Sequence, residues 1–145
     1  MTTTEPTPTW HPWRTLREEF PDVSLEWTKL PGGIGGFTDG DTIWLDPRLN
    51  QVGRRCTLTH EMWHLRRRIL PADPVEERIC DELAARQLIP LPRLIDGFRW
   101  TRCADTLTKH LWVDARTLRV RLNALDPIEV AELEYETNGA WWQWQ

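Results

Sequence analysis

The sequence predicts an α+β domain, and three observations carry that expectation. Apolar and polar residues alternate through part of the first third of the chain, the period of half-buried strands. From about Asn50 the apolar residues recur at helical spacing instead. A length of 145 residues with 40% hydrophobic residues suits one compact domain, or a small domain plus an appendage.

The elements follow in order. Residues 1–9, rich in Thr and Pro and without apolar pattern, are expected to form a disordered N-terminal tail. Trp10 to Phe20 reads as a short helix stopped by Pro21. Val23, Leu25 and Trp27 alternate with polar neighbours and read as a half-buried strand. The glycines from Pro31 to Gly36 mark a flexible turn, and no phosphate loop, because no Lys-Ser/Thr pair closes them. Gly36 to Leu45 reads as two strands around a turn at Asp39-Gly40-Asp41, with Asp46-Pro47 closing a small antiparallel sheet. Leu58, Met62, Leu65 and Ile69 then make one stripe of a helix that Pro71 ends. A second helix starts after Asp73, a good N-cap followed by Pro74, and runs to about Ile89. Glu76 stands where it can complete a capping box with Asp73. Two short helices follow around Trp112-Val113-Asp114. The expected organisation is a core of residues 10–98, a helical segment of 99–126 and an acidic, Trp-rich tail of 127–145.

Composition excludes several classes. The net charge of −4 argues against a protein that simply coats nucleic acid. Cys56, Cys80 and Cys103 are odd in number and contain no C-x-x-C pair, so a reducing cytoplasm is expected rather than a disulfide scaffold. The opening residues lack the basic start and apolar run of a secretory signal, and no stretch reaches the length of a membrane span. Ten tryptophans against three phenylalanines and one tyrosine give a short chain large rings with which to fill a core.

The chemistry concentrates at His60-Glu61-Met62-Trp63-His64, an H-E-x-x-H run inside the helical stripe. Residues four apart on a helix stand one turn above each other, so the two imidazoles can grip one zinc ion. Glu61 then lies beside the metal, where it can take a proton from water attacking a peptide carbonyl. Thr57, His60, Glu61, His64 and Arg68 form the polar face beside the apolar stripe. A catalytic zinc needs a third protein ligand and one open position. The short link from Leu70 to Asp73 folds the two helices into a hairpin, which offers Glu76, Glu77, Asp81 and Glu82. With Glu76 assigned to the helix terminus, Glu77 is the expected ligand. Asp81, one turn on, is placed to accept the spare N–H of a ligand histidine. Cys80 borders this face and is expected to be a small buried residue rather than a ligand.

The paired motifs resemble the ImmA/IrrE metallopeptidases. HEMWHL followed by EERICDELAARQLIP matches that family in register at Glu77, Cys80, Asp81, Ala84, Ala85, Leu88 and Pro90, and the resemblance covers roughly residues 23–125. It implies a zincin-like fold with a gluzincin-like site: His60, His64 and Glu77 on one zinc ion per chain, and Glu61 as general base. It also implies a protein substrate, typically the transcriptional repressor of a phage or mobile element, met in the bacterial cytoplasm. Trp63 is a bulky occupant of a variable position in the motif. A peptide substrate is expected to add to an exposed edge strand, with Thr42, Ile43, Trp44 and Leu45 as the candidate. His11, His110 and Tyr135 are candidate oxyanion donors, each better read as structural.

Residues 101–125 carry five basic against two acidic side chains, and the family often has a helix-turn-helix segment after its peptidase core. In that reading Arg116, Thr117 and Arg119 face a DNA groove. The preferred reading is a helical hairpin packed on the zinc helices through Leu111, Val113, Leu118 and Leu122, because the acidic tail beside it repels phosphate. The expected function is therefore a zinc metallo-endopeptidase. The alternative is a non-catalytic protein of the same fold that acts by docking or by contacting DNA. The sequence leaves the oligomeric state and the role of the Trp141–Trp144 cluster open.

Overall fold

A computed structural model describes residues 10–139. The expected N-terminal tail and the Trp141–Trp144 cluster lie outside these residues. Ten elements follow one another: α1 (Pro12–Glu19), β1 (Ser24–Trp27), β2 (Gly36–Thr38), β3 (Thr42–Leu45), α2 (Gln51–Arg67), α3 (Pro74–Leu88), α4 (Leu91–Trp100), α5 (Ala104–Leu111), α6 (Ala115–Asn123) and α7 (Pro127–Thr137). No helix among them is long and apolar enough to cross a membrane.

The α+β class holds, but the sheet is mixed rather than antiparallel. β2 and β3 pair antiparallel across the Asp39–Asp41 turn, where the Asp39 carboxylate accepts both the Asp41 and Thr42 N–H groups at 2.9 Å. β1 lies on the other side of β3 and runs parallel to it, Leu25 opposite Ile43, giving the order β1-β3-β2. The reason is the connection: the chain leaves β1 through the glycine turn, reaches the far edge, and returns by the hairpin into the middle. Consequently β3 is paired on both sides, with Ile43 and Leu45 fully buried, and Thr42–Leu45 is not an edge. The edges are β1 and β2. Trp27 is about half-buried; it stacks on Trp13 and lies under Arg54.

α2 is the organising helix. Asn50 caps it through the Gly53 N–H, and Leu58, Met62 and Leu65 pack with Ile43, Leu45 and Leu16 beneath the sheet. Each such side chain, once buried, contributes roughly 1.5–3 kcal/mol. The helix stops earlier than its apolar stripe suggests: Arg68 takes a left-handed conformation (φ 56°) and leaves Ile69 half exposed beyond it. α3 begins as expected, with Asp73 accepting the Glu76 N–H at 2.8 Å. The reciprocal half of a capping box is absent, because the Glu76 carboxylate turns to Arg67 at the end of α2 and pins the hairpin there.

A second core gathers Leu88, Ile89, Leu94, Ile95, Phe98, Leu107, Leu111, Val113, Leu118 and Leu133. It includes two helices that the sequence reading passed over. α4 has Pro92 within its first turn, where a missing N–H is harmless, and buries Leu94, Ile95 and Phe98. α7 was expected to be part of an acidic tail. It is capped by a complete box between Asp126 and Glu129, and inserts Leu133 into the core. Buried Arg121 of α6 joins these parts, donating to the Ile89 carbonyl at 2.7 Å and to Glu129 at 2.6 Å. The segment 101–125 is thus the packed helical hairpin, with Asp114 capping α6 as expected.

Candidate metal centre

The α2–α3 hairpin brings three donor groups to one point. His60 Nε2 lies 3.0 Å from His64 Nε2 and 2.9 Å from Glu77 Oε2, while His64 Nε2 is 3.2 Å from Glu77 Oε1. Four ligands about 2.0–2.1 Å from a tetrahedral zinc are separated by ~3.3 Å, so these spacings suit one such ion. Two imidazoles and a carboxylate also form a donor set that leaves one position free. Among the described residues, this is the group of His, Cys, Asp and Glu side chains close enough to hold a metal.

Each donor is set by its helix. His60 and His64 are one turn apart on α2, and Glu77 stands in the first turn of α3, half exposed above them. His60 Nδ1 lies 2.9 Å from Asp81 Oδ1, although the approach is off the line of a ring N–H bond. Asp81 thus stands beside His60, as its place one turn after Glu77 suggested, but without a formed ring N–H bond. Arg116 from α6 grips the same carboxylate with both guanidinium nitrogens, at 3.1 and 2.7 Å. Cys80 is fully buried, with Sγ 3.4 Å from His64 Nδ1; burial, followed by Glu76 and Glu77, pushes its thiol up to about 12. It serves as the small buried residue expected.

The electrostatics divide the two histidines. Burial opposes charge on His60, but Asp81, Glu61 and Glu77 outweigh it and hold its pKa above the ordinary value. Burial and the neighbouring His60 push His64 down. Glu61 is 5% exposed, and burial lifts its carboxyl to about 7; Glu77 and Asp81 add to the shift and His60 opposes it.

These groups face a cleft of about 630 Å³. One wall is α2 and α3, another is the segment from Gly33 through β2, and Leu70–Ala72 and the start of α6 complete it. β2 reaches the site because residue 36 is glycine. A Cβ there would lie 2.6 Å from Thr57 Cγ2 and 3.3 Å from Glu61 Cγ, well inside ordinary contact. The edge strand beside the candidate centre is therefore Gly36–Thr38, and Thr42–Leu45 lies behind it in the sheet.

The remaining predicted site residues fall elsewhere. Arg116 and Thr117 line the cleft, Arg116 with its side chain largely exposed at the rim; Arg119 is exposed and lies outside the lining. His11 is exposed at the start of α1, Tyr135 is exposed on α7, and His110 stacks on Trp100; none lines the cleft. Trp63 turns from the ligands and donates its indole N–H to Gln87 at 2.8 Å, with Arg66 over its ring. The arginine run after the motif is largely paired, Arg66 with Glu19 and Arg67 with Glu76. Sequence reasoning missed the close approach at Gly36 and the pairing of Arg116 with Asp81. Gly36 carried a signal as the last glycine of the Gly-Gly-Ile-Gly-Gly run; Arg116 carried none, since its partner lies 35 residues away. No family model matches the chain, and no curated protein or solved structure does so either.

Proposed function

We propose that this chain is a zinc-dependent endopeptidase, with His60, His64 and Glu77 holding one zinc ion and Glu61 acting as general base. The observation that carries the reading is the convergence of three donor groups within 2.9–3.2 Å of one another beside a buried glutamate. Zinc in that donor set supplies a Lewis acid that polarises a carbonyl and brings the pKa of water toward about 7. Glu61, buried beside the donor groups, would take the proton from the attacking water and return it to the leaving amine. The β2 edge, Gly36–Thr38, is free on the side away from β3, so an extended peptide can add there as a further strand across the cleft. Exposed Phe37 and Ile34 flank that path and offer apolar contacts to its side chains.

The resemblance to the ImmA/IrrE metallopeptidases extends the proposal to the substrate: a protein, of the class of phage or mobile-element repressors, encountered in the cytoplasm. Contact with DNA has less support, because Arg116 is committed to Asp81. The test is Glu61→Gln, assayed against a repressor of that class. The variant is expected to bind zinc and substrate without cleaving it. A Glu61→Gln protein that retains the biological effect with zinc in place would assign the function to docking instead.

A further inference from the structure

Arg116 approaches the centre from outside both motif helices. It is the second residue of α6, whose first turn is fixed by the Asp114 carboxylate on the Thr117 N–H at 2.8 Å. The far end of α6 is held independently: Arg121 donates to the Ile89 carbonyl at 2.7 Å, and Arg86 of α3 donates to the Ala124 carbonyl. Arg116 therefore arrives at Asp81 because α6 is placed there, not because the ion pair recruits it. Its two parallel contacts, Nη1 to Oδ1 at 3.1 Å and Nη2 to Oδ2 at 2.7 Å, fix the plane of the carboxylate as well as its position. That plane leaves Oδ1 at 2.9 Å from His60 Nδ1.

His60 has two carboxylates competing for its ring proton, Asp81 at Nδ1 and Glu77 at Nε2. A metal ligand must present a bare nitrogen, and the nitrogen turned toward His64 and Glu77 is Nε2. Whatever secures Asp81 against Nδ1 thus selects the tautomer that can ligate. We propose that Arg116 is a positioning residue of the metal centre: it locks Asp81 so that His60 keeps its proton on Nδ1 and offers Nε2 to the metal. The α5–α6 hairpin is then an integral third layer of the site, behind ligand and carboxylate, and not an appended module. This inference rests on the zinc reading above, but part of its test does not.

The guanidinium side chain is mostly exposed, so the pair itself adds little to stability and its effect belongs in ligand orientation. Arg116→Met keeps the aliphatic stem. Two quantities are measured on the full chain: zinc affinity by competition with a chelator, and the His60 tautomer in metal-free protein by ¹⁵N chemical shifts of the ring above pH 8. Arg116→Met is expected to weaken zinc binding on the order of tenfold and to move His60 toward the Nε2–H form. In an Asp81→Asn background the same substitution is expected to change neither. Wild-type zinc affinity with an unchanged tautomer overturns the proposal, as does an equal loss of affinity in the Asp81→Asn background. If the native chain binds no zinc, the functional reading fails, and the tautomer measurement alone decides the role of Arg116.

Discussion

Replacing Gly36 by alanine tests how the edge strand is seated on the motif helix. The added methyl would lie 2.6 Å from Thr57 Cγ2, 3.2 Å from Leu45 Cδ2 and 3.3 Å from Glu61 Cγ. Carbon contacts settle near 3.5–4.0 Å, so the first of these is short by about 1 Å. Thr57 has little room to turn, since it is β-branched on a helix and its hydroxyl faces Gly35. The strand resists retreat, because Gly36 pairs with Leu45 and the Gly35 carbonyl accepts the Asp46 N–H at 2.8 Å. Overpacking of this kind costs about 1–3 kcal/mol. Urea denaturation of Gly36→Ala is expected to show that loss with an unchanged slope. The double variant Gly36→Ala/Thr57→Ser, which deletes the offending methyl, should recover most of it. In the proposed endopeptidase, where a shift of about 1 Å in the edge that would bear substrate can slow the reaction 100-fold, cleavage should fall by more than the folded fraction does. A Gly36→Ala protein as stable as the native chain would refute the close approach.

Three further outcomes follow from the same packing. Glu77→Ala removes the proposed, half-exposed third ligand and is expected to lower zinc affinity by more than the 10–100-fold typical of an outer partner, with little change in metal-free stability; Glu76→Ala, one residue earlier, breaks the Arg67 pair and should do the reverse, as calorimetry with and without zinc will show. Burial works against Glu129, yet Arg121, the Asp126 N–H and Arg86 hold its carboxyl down at about 2, so the stability it contributes is complete above its unfolded value near 4.5 and drains away as pH falls from about 5 toward 2; after allowance for solvent at its open side this is about 1–2 kcal/mol, and Glu129→Gln should flatten the acid limb of the stability curve. Leu133→Ala empties a fully buried position on α7 and should destabilise the fold by about 2–5 kcal/mol, whereas a change below ~0.5 kcal/mol would show that α7 is no part of the core.

What could be read from the sequence was local. The H-E-x-x-H helix, the α2–α3 hairpin and the caps at Asp73 and Asp114 depend on residues within a few positions of one another, and each stands as expected. The short link also brings Glu77 beside the two histidines. What was missed was settled by distant partners or by a signal given too little weight. Asp126-Pro127-Ile128-Glu129 repeats the pattern of Asp73-Pro74-Val75-Glu76, but acidity concealed a helix start. The box closes at Glu129 and stays open at Glu76, since Arg67 claims the latter. Leu91, Leu94, Ile95 and Phe98 show helical spacing in α4, although Pro90 and Pro92 suggested a break. Strand order has no local signature, and for that reason the edge beside the cleft was assigned to Thr42–Leu45 instead of Gly36–Thr38.

Metal content measured on the purified native chain tests the central claim most directly, with His64→Ala and Glu61→Gln analysed beside it. One zinc per native chain is expected, with none in His64→Ala and a full complement in Glu61→Gln. A folded native chain without zinc, or zinc retained at full stoichiometry by His64→Ala, would contradict the metal centre and the peptidase chemistry built on it.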